Sequence, residues 1–325
     1  MIYELNSFFV KMLLFWEEKI DLSTLKKYLG EYASIEKINN ISETYDLSVF
    51  FIDEENKLFE KNVYVIDNYR IKLINKKLFI GRKKSDNNEI LFMKRLLIDL
   101  INRFFEKKGG IFLHSSSIVY KENSVLFIGE KGAGKTTNML YMLNNNEFSY
   151  SSNERTGLIL KKGEIITYGN PARINIRANT LKLNTLLRNK LMNSLDKSKY
   201  KEYVHANLPR DCSKRLVIGF DELANKLDVK VIPSAKAKMI FNLIYNPNVK
   251  FAFEEVNFDC IKPYIEKSII DGVFPKRKKL NDIILLDNPS TIDILNSNEI
   301  LYYNIFQNGT QDISNEICRI LKRKL

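Results

Sequence analysis

The chain has 325 residues, 45% of them hydrophobic and 28% charged, with only 7 Pro and 13 Gly. That suits one large or two modest globular domains and excludes a disordered or linker-rich chain. The formal net charge of +12 invites an acidic partner or nucleic acid, but the cations are scattered in short clusters: Arg82-Lys83-Lys84, Lys107-Lys108, Lys161-Lys162, Lys276-Arg277-Lys278-Lys279 and Lys322-Arg323-Lys324. None is interleaved with aromatics as a single-strand groove would be, and the pattern reads as solvated surface.

In chain order, the apolar run 8–16 is interrupted by Lys11 and too short to span a bilayer. Glu4 stands where a basic leader would be, so a core strand or helix is expected and no membrane association. The clusters 47–52 and 63–66 have strand character, which makes residues 1–88 a small α+β domain. Segment 89–105 repeats apolar residues at helical spacing and ends at Lys107-Lys108-Gly109-Gly110, a basic, glycine-terminated helix end. It is expected to open a second domain, 89–325. Strands follow at 111–120 and 124–128, a helix at 135–143, and strands at 147–152, 157–161, 164–168 and 173–176. Helical stretches are expected at 178–191, 253–269 and 312–321.

Residues 129–136, Gly129-Glu130-Lys131-Gly132-Ala133-Gly134-Lys135-Thr136, fit the P-loop pattern G-x-x-x-x-G-K-[ST]. An apolar strand leads in, and the helix expected at 135–143 leads out through Thr137. Glycines let successive backbone N–H groups turn toward phosphate oxygens. The helix start adds its positive end, Lys135 is expected on the β- and γ-phosphates, and the Thr136 hydroxyl on Mg²⁺. ATP is the expected nucleotide, with GTP open. Such a site needs a metal-side carboxylate at a strand end, and two segments offer one. The run 216–222 ends in Asp221-Glu222, which also reads as the acidic first turn of a short helix. The strand after the P-loop helix ends in Ser152-Asn153-Glu154-Arg155. The pattern alone leaves both open.

Three cysteines, Cys212, Cys260 and Cys318, are odd in number and far apart. Neither a disulfide framework nor a zinc site follows, and a reducing, cytoplasmic setting fits.

Taken together, Leu113-His114-Ser115-Ser116-Ser117-Ile118, the P-loop, Ser152-Asn153-Glu154-Arg155 and Tyr168-Gly169-Asn170-Pro171-Ala172-Arg173-Ile174 resemble the catalytic domain of the HPr kinase/phosphorylase family. They resemble most the HPr-kinase-like peptide serine kinases, such as lasso-peptide kinases. The resemblance covers about residues 89–240. It implies an α/β fold with a PEP-carboxykinase-like mixed sheet behind a smaller N-terminal α+β domain, which would serve acceptor recognition. It also implies a homo-oligomer, since the HPr kinases form hexamers. Carried over, Glu154 matches the catalytic acid near Mg²⁺, Asn153 its companion, and His114 the site histidine, in a chain whose other histidine is His205. Arg155 and Arg173 would meet phosphate or substrate carboxylates. Glu replaces the usual Asp at 154, one methylene longer, and Lys131 stands where Ser is usual. The implied function is ATP- and Mg²⁺-dependent phosphorylation of a Ser or Thr hydroxyl on a peptide or protein acceptor, with an acidic one favoured by the basic surface. The rivals are a nucleotide-dependent switch that binds a partner without catalysis, and a kinase acting on a small molecule or nucleic acid.

Overall fold

The computed structural model describes residues 1–16, 22–41, 44–82, 89–177, 180–181, 184–192, 215–273, 275–286, 292–297, 299–309 and 312–325. Cys212, His205, Lys83, Lys84 and parts of the 178–191 stretch lie outside them. The architecture is mixed α/β, with two large mixed sheets and several helices. No described helix is long and apolar enough to cross a membrane.

The chain divides into two compact units, one of Met1–Gly110 with Asp271–Ser290, the other of Ile111–Ile270 with Thr291–Leu325. The first unit holds strands β1 (Ile2–Ser7), β2 (Lys11–Trp16), β3 (Ala33–Ile38), β4 (Leu47–Asp53), β5 (Tyr64–Ile66), β6 (Tyr69–Ile74) and β7 (Lys77–Arg82). They form a sheet in the order β3-β1-β2-β4-β7-β6-β5. β2, β4 and β7 run parallel and the remaining pairs antiparallel. In β4, Leu47, Val49 and Phe51 are buried on alternate positions, the period-2 pattern of a strand with one face on a core. The apolar run 8–16 becomes a strand. The unit also contains α1 (Ser23–Leu29) and the long helix α2 (Glu89–Lys107).

α2 differs from the expected organisation. It belongs to the first unit, so the anticipated boundary at residue 88 falls inside that unit. The reason is visible in its polar residues. Asp99, Asn102, Arg103 and Glu106 are buried and need partners, and the return segment 271–290 supplies them. Arg277 pairs with Asp99 and reaches Asp67 at 3.3 Å. Asn102 donates to the Gly272 carbonyl at 2.8 Å, the Gly272 amide donates to Glu106 at 2.6 Å, and Arg103 donates to the Ile284 carbonyl at 2.7 Å.

The second unit is built on a ten-stranded sheet. The segment 111–120, expected as one strand, is two: β8 (Ile111–Leu113) and β9 (Ser116–Tyr120). β8 pairs with the strands Thr156–Lys161 and Ile269–Ile270, while β9 lies between Asn123–Gly129 and Phe148–Ser152. The chain changes place in the sheet at His114-Ser115, where the His114 amide donates to the Ser268 carbonyl at 2.6 Å. β10 (Asn123–Gly129), β11 (Phe148–Ser152), β12 (Thr156–Lys161) and β13 (Glu164–Gly169) follow. At the centre run β16 (Ser234–Tyr245) and, beside it, β19 (Leu301–Gln307), both parallel to β10. Neither is among the strands expected from the sequence.

β14 (Ile174–Arg177) and β15 (Arg215–Ile218) form a separate antiparallel ribbon. The helices are α3 (Lys135–Leu143), α4 (Thr185–Met192), α5 (Phe220–Leu227), α6 (Phe258–Ser268), α7 (Leu280–Ile283, in the first unit) and α8 (Ser314–Lys324). The expected helix at 253–269 is shorter than anticipated. Phe251–Val256 is a strand, β17, on the far side of β19, and β18 is the two-residue Ile269–Ile270. α6 packs Phe258, Ile261 and Ile265 against Leu126, Ile128 and Ile240 of the sheet. β10 is buried along five successive residues, as a strand covered on both faces must be.

Candidate functional site

β10 ends at Gly129, and the chain turns through residues 129–134 into α3. Gly129 takes φ +135, Gly132 +94 and Gly134 +100. A Cβ on Gly129 would lie 2.4 Å from the Leu243 carbonyl of β16, so the turn fits against the neighbouring strand only with glycine there. From β19, the Gln307 side-chain amide donates to the Ala133 carbonyl at 2.6 Å and holds the turn from below.

Lys135 and Thr136 open α3. Lys135 is 8% exposed, and its ammonium donates to the Gly129 carbonyl at 2.6 Å and the Glu130 carbonyl at 3.2 Å. Burial pushes its pKa below the usual lysine value, against the opposing pull of Glu154. The Thr136 hydroxyl donates to Asn153 Oδ1 at 2.9 Å. Asn153 is buried, and its Nδ2 has no partner among the described residues. One residue on, Glu154 is left-handed at φ +69, a conformation that costs a non-glycine residue on the order of 1 kcal/mol. The bend is pinned by Ser152, whose hydroxyl donates to the Arg155 carbonyl and accepts from the Asn170 amide at 3.1 Å. His114, at the break between β8 and β9, sets Nδ1 3.2 Å from the Glu154 carbonyl oxygen and 3.5 Å from its carboxylate.

These groups face one another across a cleft of about 480 Å³ lined by His114, Lys135, Thr136, Asn153 and Glu154, with Gly132, Thr137 and Thr180 nearby. Its remaining charged side chains are Lys131, Arg177 and Arg215. Four Lys and Arg side chains thus meet one carboxylate, an arrangement suited to a polyanion. Arg177 and Arg215 are direct partners on the β14–β15 ribbon, so the strand pairing brings two cationic residues side by side at the cleft.

Sequence reasoning and geometry differ at several positions. His114, Lys135, Thr136, Thr137 and Glu154 come together, as do Lys131, Gly132 and Gly134. Arg155 and Arg173 line neither this cleft nor a second one on the other side of the turn; Arg155 is buried and Arg173 is exposed elsewhere. The arginines in the cleft are Arg177 and Arg215. Arg215 has no signal in the sequence, because only its pairing with Arg177, 38 positions earlier, brings it there. Asp221 lies in the first turn of α5, with its carboxylate 2.5 Å from where a Cβ on Gly219 would stand, and it lines neither cleft.

The donors present suit a hard divalent cation. A hydroxyl, an amide oxygen and a carboxylate are all oxygen ligands. Among the described residues no group of three or more His, Cys, Asp or Glu side chains is placed to hold a metal ion.

No protein-family model and no curated protein matches the sequence. Among solved structures, the chain is similar to the HPr(Ser) kinase/phosphatase from Coxiella burnetii at 10% identity and a TM-score of 0.31, covering 65% of this chain and 94% of that one.

Proposed function

We propose that the chain is an ATP-dependent kinase of the HPr-kinase-like class its motifs resemble, transferring the γ-phosphoryl group to a Ser or Thr hydroxyl of a peptide or protein acceptor. The observation that carries the reading is the meeting of Lys135, Thr136, Asn153, Glu154 and His114 around one cleft beside a glycine turn. In this reading the turn is a P-loop. Its amides and Lys135 hold the phosphates, with Lys135 giving up its contacts to the Gly129 and Glu130 carbonyls for phosphate oxygens. Thr136, Asn153 and Glu154 would hold Mg²⁺, which when bound neutralises charge on the β- and γ-oxygens.

The Glu154 carboxylate accepts the proton of the attacking hydroxyl. As the new O–P bond forms, the bond from Pγ to the bridging oxygen breaks and ADP leaves. His114 orients Glu154 through the contacts at 3.2 and 3.5 Å. Arg177 and Arg215 meet charge on the transferring group or on an acidic acceptor. Little covalent chemistry is asked of the protein, since phosphoryl transfer is driven by positioning and charge neutralisation.

The test is transfer of labelled γ-phosphate from Mg-ATP to candidate acceptor peptides by wild type, Lys135→Ala and Glu154→Gln. One acceptor should be labelled, both substitutions should abolish labelling, and Glu154→Gln should still bind ATP. Tight ATP binding with no labelling, unchanged in Glu154→Gln, would instead make the chain a nucleotide-dependent switch.

A further inference from the structure

Two clefts meet at the glycine turn, and the mechanism above uses one. The other, of about 600 Å³, opens at the carboxyl ends of β10, β16 and β19, three adjacent parallel strands. That end of a parallel sheet is where ligands collect. The helix after the turn leads from one cleft to the other. Lys135 and Thr136 line the first, Thr137 lines both, and Asn138 and Tyr141 line the second.

The second cleft is lined in part by aromatic side chains that the fold leaves partly exposed. Tyr245, the last residue of β16, is 51% exposed, and Tyr264 of α6 is 37% exposed; both line this cleft. Asn242, 1% exposed, lines the same cleft. It donates through Nδ2 to Asn304 Oδ1 at 2.9 Å, and its own Oδ1 has no partner among the described residues. Gln307, registered opposite Tyr245, ties the same lining to the turn through Ala133.

We propose that this second cleft seats the nucleoside of the bound nucleotide, with the base ring against the Tyr245 and Tyr264 face. The inference rests on the P-loop reading above. With the γ-phosphate toward Glu154 and Lys135 on the β- and γ-phosphates, the α-phosphate lies farther along the start of α3. The ribose then emerges beside Thr137 and Asn138. Aromatic rings supply a stacking surface for any base, and a cleft of this size falls in the range of small-molecule sites.

The experiment compares binding of Mg-ATP and of inorganic tripolyphosphate to the full chain by calorimetry, for wild type, Tyr245→Ala, Tyr245→Phe, Tyr264→Ala and Lys135→Ala. Wild type should bind ATP more tightly than tripolyphosphate. Tyr245→Ala and Tyr264→Ala should each weaken ATP by roughly tenfold and leave tripolyphosphate unchanged. Tyr245→Phe should bind ATP like wild type, and Lys135→Ala should weaken both ligands. Equal wild-type affinity for the two ligands, or tyrosine variants that change both or neither, would overturn the nucleoside site while leaving the P-loop standing. If wild type binds neither ligand, the P-loop reading falls first and the nucleoside site falls with it.

Discussion

Gly129 and Gly163 both hold a positive φ, +135 and +84, but their surroundings differ. A Cβ at 163 would meet nothing within 4 Å, whereas at 129 it would strike the Leu243 carbonyl at 2.4 Å. Gly163→Ala should therefore cost about 1 kcal/mol of backbone strain and leave nucleotide binding intact. Gly129→Ala should cost roughly twice that or more and lose binding, read by urea denaturation and ATP titration of both variants. Lys135 gives a second expectation. Burial lowers its pKa from 10.5, so free protein is partly deprotonated at pH values just below 10.5. Phosphate oxygens favour the charged form, and ATP binding in that window should take up protons. Calorimetry in two buffers of different ionisation enthalpy would detect the uptake. Lys135→Arg, which stays charged throughout, should lack it.

At the scale of elements, the return segment is held to α2 by buried charge. Arg277 and Asp99 are 5% and 0% exposed, so Arg277→Ala takes the paired cation from a buried carboxylate and should destabilise the chain by roughly 3–5 kcal/mol in urea titration. Replacing both partners by apolar residues of similar volume should recover most of that loss. A variant as stable as wild type would show that the pair is solvated in solution.

The same scale separates what the sequence disclosed from what it concealed. The strand, glycine turn and helix around 123–143 were legible because turn chemistry and apolar flanks are local signals. The acids of α5 were legible as one of two readings. The central strands β16 and β19 were not. The run Met239-Ile240-Phe241-Asn242-Leu243-Ile244-Tyr245 is buried on both faces for most of its length, so no period-2 alternation marks it. The break at His114-Ser115 was hidden for another reason, since the two halves of an apolar run find different neighbours only in the assembled sheet. Arg215 entered the cleft in the same way, through tertiary pairing with no local signature.

At the scale of the molecule, the two units are not successive in sequence. The first opens the chain, yet takes its last piece from residues 271–290, after most of the second has been made. Asp99 and Arg277 are separated by 178 positions. At synthesis rates of about 5–20 residues per second, that interval is roughly ten to thirty-five seconds. Throughout it, α2 can collapse on its apolar stripe, but the Asp99 carboxylate lacks the Arg277 guanidinium. A segment made early thus finishes folding late, and a nascent chain stalled before residue 277 would carry a half-formed first unit and a second-unit sheet still lacking β19.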